Sequence, residues 1–160
     1  MKKITFHLWY NKEAKKAAEF YTSTFKDSKI KNISTIHNTP SGSVDIVTIE
    51  ILGQEFTLIS AGPLFKFNPS VSFTVNCESV EEVDSLWEKI SEKGTALMEL
   101  GEYPFSKRYG WLKDKYGVSW QIVPTILGEL MKKKPKQVTE AFLKMKKFNI
   151  AELEKAAEEE

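Results

Sequence analysis

The chain repeats one pattern, a strand that ends at an asparagine and gives way to a helix, and this limits its folds more than any other feature. ITFHLWYN, residues 4–11, alternates as a strand and stops at Asn11. KEAKKAAEFYTSTF, residues 12–25, then sets Ala14, Ala17, Ala18, Tyr21 and Phe25 at helical spacing. SVSFTVNC, residues 70–77, alternates in the same way around Asn76, and SVEEVDSLWEKISEKG, residues 79–94, sets Val80, Val83, Leu86, Trp87 and Ile90 at helical spacing. In that second helix Ser79 with Glu82 reads as a capping box, and Gly94 reads as the stop.

Three strand candidates follow each unit. They are KIKNISTIH, SVDIVTIEI and QEFTLIS in the first half, with Pro-Ser-Gly and Leu-Gly as turns, and TALMEL, RYGWLK and VSWQIV in the second, with Asp-Lys-Tyr-Gly as the last turn. The order βαβββ therefore occurs twice. One such module leaves the concave face of its sheet uncovered, so duplication predicts an α+β fold of two cupped sheets side by side. The expected domain covers 1–127, with modules at about 1–62 and 68–124. A helical C-terminal extension is expected over 128–160, where Pro135 opens a helix with Val138, Ala141, Phe142 and Met145 as its apolar stripe, and Asn149 with Glu152 starts the last one.

Bulk properties remove several function classes. A formal charge of +1 over 160 residues supplies no basic field for nucleic acid. The Lys132–Lys134 run, with Lys136, Lys144, Lys146 and Lys147, lacks arginine and interleaved aromatics and reads as a solvated helix surface. The single cysteine, Cys77, excludes an internal disulfide framework and fits a reducing compartment; with no histidine near it, it reads as a packing residue. MKKITFHLWYNKEA turns charged after about seven mostly apolar residues, too few for a membrane span. The expected location is the cytoplasm.

Alternation assigns the strand faces. Ile4, Phe6, Leu8 and Tyr10 are expected against the first helix, with Thr5, His7 and Trp9 on the concave side; Val71, Phe73 and Val75 against the second helix, with Ser70, Ser72 and Thr74 opposite. In GVSWQIVP, Val118, Trp120 and Ile122 belong to the core, which turns the neutral amide of Gln121 toward the concave side. His7 is the candidate general base or ligand contact, with no carboxylate set beside it; Glu50, at the end of DIVTIE, is left unpaired. Trp9 and Trp111 are candidate walls for a planar ligand, whereas Trp87 and Trp120 are core.

LWYNKEAKKAAEFYTSTFKDSKI, LGQEFTLISAGPLFKFNPSVSFTVNCES, EEVDSLWEKISEKG, GWLKDKYGVSWQIVP and the final KMKKFNIAELEKA together resemble the vicinal oxygen chelate superfamily, which holds glyoxalase I, bleomycin-resistance proteins, fosfomycin-resistance enzymes and extradiol dioxygenases. More narrowly they resemble its PhnB-like branch, often labelled 3-demethylubiquinone 3-methyltransferase-like. The resemblance implies the glyoxalase/bleomycin-resistance fold of paired βαβββ modules. It also implies that the positions where relatives hold a metal fall at Thr5, Thr57, Ser70 and Gln121, none a good transition-metal ligand. A carboxylate in such a cup without a metal would meet a desolvation cost that an amide avoids.

The expectation is a metal-free cup that binds a small molecule of unknown identity through His7, Trp9, Trp111 and Gln121, with no cofactor, in a homodimer. Two alternatives stay open. One is an enzyme, metal-free through His7 and Gln121, or metal-dependent in the manner of a lyase or dioxygenase, or a methyltransferase as the branch's label suggests. Against the last, none of the eight glycines forms G-x-G, the turn a dinucleotide-type methyltransferase domain would show; the nearest approach is SGS at 41–43. The other alternative is a dimeric interaction protein whose cup is vestigial.

Overall fold

The computed structural model describes residues 4–125 together with 136–137, 140 and 155–158. Its elements run β1 (Phe6–Tyr10), α1 (Ala14–Thr24), β2 (Ser28–Thr39), β3 (Gly42–Ile51), β4 (Gln54–Ser60), β5 (Phe73–Cys77), α2 (Val80–Ser91), β6 (Thr95–Tyr103), β7 (Ser106–Lys113) and β8 (Ser119–Pro124). This is βαβββ twice, in an α+β fold with two four-stranded sheets. The chain divides into two units, residues 1–69 with 116–118, and residues 70–115 with 119–160. The extension expected over 128–160 lies for the most part outside the described residues, of which Lys136, Gln137, Glu140 and the Lys155–Glu158 turn are helical.

Unit 1 holds the sheet β1-β4-β3-β2, parallel only between β1 and β4. A parallel first pairing requires a crossover, and α1 is that crossover. Its Ala14, Ala17, Ala18 and Tyr21 are wholly buried, small residues that let the helix approach Val47, Ile49 and Leu58 of the sheet. Glu13 gives α1 no side-chain cap; instead the Ala14 N–H donates to Ser60 Oγ at 3.0 Å, from the end of β4. Leu52 and Gly53, at φ 48° and 78°, form the two-residue hairpin turn that a left-handed pair makes possible between β3 and β4. Tyr116, from the β7–β8 connection, sets its ring edge against Tyr10, Phe20 and Tyr21.

Unit 2 repeats the arrangement as β5-β8-β7-β6, again parallel only at the first pair. The predicted cap of α2 is present: the Glu82 N–H donates to Ser79 Oγ at 3.1 Å, while Glu82 Oε2 accepts from the Glu78 N–H at 2.7 Å. Val83, Leu86 and Ile90 pack on Leu112, Trp120 and Ile122, and the Trp120 indole N–H donates to buried Asp114 Oδ2 at 2.9 Å. Gly110 is required by close approach, since a Cβ there would collide with the Trp87 ring.

Four expectations need correction. Ile4 and Phe6 are not buried: they stay 78% and 41% exposed at the start of the strand, while Leu8 and Tyr10 further along are buried. The second module's first strand starts at Phe73, so Ser70 and Val71 precede it and Val71 is 66% exposed. Val80, expected on the buried stripe of α2, lies at its first turn and is exposed. The helix stop is not a left-handed Gly94; Lys93 takes that conformation at φ 57°, and Gly94 is needed because a Cβ would press on the Lys113 carbonyl.

Candidate functional site

Each sheet has one face under its helix and one far face. Register partners share a face, so the ladders fix which side chains stand together. In unit 1 one row crosses all four strands: His7 opposite Thr57, Thr57 opposite Thr48, Thr48 opposite Asn32. On one side of it lies Trp9–Ile59–Ile46–Ser34, and on the other Glu55–Glu50–Lys29. The bulge between Ile30 and Asn32 turns Lys31 into this last row, where its Nζ meets Glu55 Oε2 at 2.6 Å and Glu50 Oε2 at 4.0 Å. The hydrogen bond and charge of Glu55 hold the Lys31 ammonium above its ordinary pKa. Glu50 therefore stands on the same face as His7, one row away, which strand-end reasoning did not place.

In unit 2 the equivalent row is Thr74–Gln121–Trp111–Met98. The duplication thus matches Thr57 with Gln121, and His7 with Thr74. Thr5 precedes β1 and Ser70 lies in a turn before β5, so these two of the four positions stand outside the strands, and both are exposed.

Gln121 is held at both ends of its amide. Tyr109 donates its phenol to Oε1 at 2.8 Å, and Nε2 donates to Ser72 Oγ at 2.6 Å. Burial, and then the neighbouring Tyr103, push the Tyr109 phenol above its ordinary pKa, which keeps it a donor. Beside this chain the Trp111 indole N–H donates to Ser119 Oγ at 2.7 Å, so the ring is fixed with its N–H already used. Trp9 is pinned likewise, through Gly62 O at 2.9 Å, with Phe65 edge-on at 5.0 Å. His7 is exposed and makes no hydrogen bond to the described residues. His7, Trp9 and Thr57 thus share the far face of unit 1, and Gln121 and Trp111 that of unit 2.

Tyr109 went unmarked in the sequence. Alternation in RYGWLK does set it on the face of Trp111, but nothing local shows that its phenol reaches across to the next strand. Ser72 lies outside the strand and is drawn in by the Gln121 amide. Cys77 is buried, and burial pushes its thiol up to about 11, which suits a packing role and not a nucleophile.

The resemblance implies that metal-using members of the superfamily hold an ion at the positions matched to Thr5, Thr57, Ser70 and Gln121, and the donors present here do not fit one. The implied set of three hydroxyls and an amide offers no anionic or imidazole ligand, and the amide is already engaged by Tyr109 and Ser72. Among the described residues no three His, Cys, Asp or Glu side chains gather to hold a metal ion.

Residues 2–123 match the model of a protein family described as 3-demethylubiquinone-9 3-methyltransferase. Among solved structures, the chain is similar to a PhnB protein from Bacillus cereus at 43% identity and TM-score 0.71, with 77% of this chain and 99% of that one covered. Two more distant structures share the fold. One is a glyoxalase family protein from Bacillus cereus, at 12% identity and TM-score 0.53, covering 78% of this chain and 93% of that one. The other is the fosfomycin resistance protein FosX from Listeria monocytogenes, at 16% identity and TM-score 0.54, covering 77% and 94%. The curated proteins yield no match.

Proposed function

The chain belongs to the 3-demethylubiquinone-9 3-methyltransferase family, the PhnB-like branch of the vicinal oxygen chelate superfamily, and from that premise we propose that it is a metal-free protein binding a small molecule on the far faces of its sheets. One observation carries the proposal: at the position matched to a metal-binding carboxylate stands an amide that Tyr109 and Ser72 hold in place. A side chain fixed at both ends keeps its remaining N–H and lone pair in a set direction, so a ligand meeting them loses little of the freedom that weakens binding. His7 and Trp9 supply the corresponding face of unit 1 with an imidazole and an indole wall.

The proposal extends to a homodimer in the cytoplasm. β2 supports the first part: it sits at the edge of its sheet and exposes Ile30, Ile33 and Ile36. Two-fold pairing is the commonest closed way to cover such residues. The lone, buried thiol supports the second. None of the described helices is long and apolar enough to cross a membrane.

A thermal-shift screen of small molecules, with metal analysis of the purified protein, tests the function. A binder present at about 100 times its Kd should stabilise the wild type by about 2.7 kcal/mol; the shift should shrink in Gln121→Ala for a binder on unit 2 and in His7→Ala for one on unit 1. Stoichiometric zinc, nickel, manganese or iron would overturn the metal-free reading, and a library without a single Gln121-dependent binder would overturn binding.

A further inference from the structure

The far face of unit 2 carries a cluster of aromatic rings around Tyr109. Tyr103 stacks on Phe105 at a centroid distance of 5.6 Å and 20°. Both meet Tyr109 edge-on, at 5.6 Å and 84° and at 4.9 Å and 79°. The Tyr109 phenol connects this trio to Gln121, whose register partner is Trp111, itself opposite Met98. Rings, amide and indole are therefore continuous along one face.

We propose that this face takes a planar, uncharged aromatic molecule bearing a ring oxygen substituent, its ring against Trp111 and Met98 and its oxygen on the Gln121–Ser72 pair. The inference rests on the binding reading above and names the ligand class for it. Planarity follows from Trp111: its N–H is committed to Ser119, so the half-buried indole offers a fixed flat surface and no donor. Met98 opposite supplies a polarisable thioether that conforms to a ring edge. The oxygen follows from the amide: Nε2 has one N–H in the bond to Ser72 and a second to give, and the Ser72 hydroxyl, which accepts that bond, has its own proton to give. The lack of charge follows from the row Thr74–Gln121–Trp111–Met98, which carries none, and from Tyr109, which burial keeps protonated. An ion lodged there would lose hydration without a counter-charge. Lys107 and Lys113 stand at the two ends of β7, beyond this row, so an anionic probe is the critical comparison.

Calorimetric titration of the full chain with 2-naphthol, 2-naphthoate and decahydro-2-naphthol separates these elements. The expected result is binding of 2-naphthol at least about tenfold tighter than either of the others, a difference the size of one lost aromatic contact or one desolvated charge. Gln121→Leu and Trp111→Leu should each weaken 2-naphthol by about five- to tenfold. Tyr109→Phe keeps the ring cluster and removes only the phenol, so it reports on the same chain if Gln121→Leu fails to fold. Equal or tighter binding of 2-naphthoate would overturn the uncharged ligand and assign the site to anions drawn by the lysines. Equal binding of decahydro-2-naphthol would overturn planarity. If 2-naphthol does not bind while another compound binds in a Gln121-dependent way, the ligand class falls and the binding reading stands; if nothing binds, both fall.

Discussion

Gln121 and His7 were alike as sequence candidates, two polar residues alternating with core residues on strands, yet they are held very differently. Replacing Gln121 by Ala strands the Tyr109 phenol and the Ser72 hydroxyl beside a half-buried gap. The expected cost is about 1–3 kcal/mol in denaturant unfolding, above what an ordinary surface change brings. His7→Ala removes an exposed ring without partners among the described residues and should stay within about 0.5 kcal/mol. A His7→Ala loss as large as that of Gln121→Ala would show that the histidine is structural. Cys77 supplies a pH signature. Its thiol is pushed up to about 11 in the folded chain from an ordinary value of 9.0, so above pH 9 the unfolded state releases its proton first and folding is progressively disfavoured up to about pH 11. Stability curves of wild type and Cys77→Ala should therefore converge as pH rises over that interval. Parallel curves would contradict the raised thiol.

At the scale of elements, the two helices show the same orphan N–H groups satisfied by different means. α2 is capped by Ser79, its own preceding residue, and α1 by Ser60, a residue 46 positions away at the end of a strand. Ser79→Ala and Ser60→Ala should each cost about 1 kcal/mol. Only the first could be foreseen from a capping box. If Ser60→Ala costs nothing, water replaces the hydroxyl at Ala14 and the tertiary cap is dispensable. Gly110 sets a harsher limit. A methyl group there meets the Trp87 ring, which is hemmed between α2 and β7, so Gly110→Ala should cost about 1–3 kcal/mol by overpacking. Trp87→Leu in the same chain should return part of that loss, because the obstructing ring is gone.

At the scale of the molecule, the exposed edge strand bears on association. β2 is exposed along nearly its whole length and lies at a sheet edge, with three isoleucines in view. Light scattering at micromolar concentration should report about twice the chain mass of 18.3 kDa, and Ile33→Glu should shift the population toward the single chain by burying a charge in the contact. A wild-type mass of 18.3 kDa would reject the dimer.

What the sequence determined by itself is the architecture. A period of 2, then 3.6, then 2 again, written twice with turn residues at each change, leaves few arrangements other than paired βαβββ modules, because periodicity is a local property of neighbouring residues. The buried faces of α1 and α2, the Leu52–Gly53 turn and the Ser79 cap all follow from residues within one or two turns of each other. What only the tertiary structure decided is which side chains from different strands meet. Register set His7 against Thr57 and Thr74 against Gln121. Register also set Glu50 and Lys31 on the face of His7, and Tyr109 within reach of Gln121. Alternation names a face but not a row; a row depends on where two distant segments pair, through a bulge at Lys31 and a strand that begins only at Phe73, and that choice is made by the packing of the whole sheet.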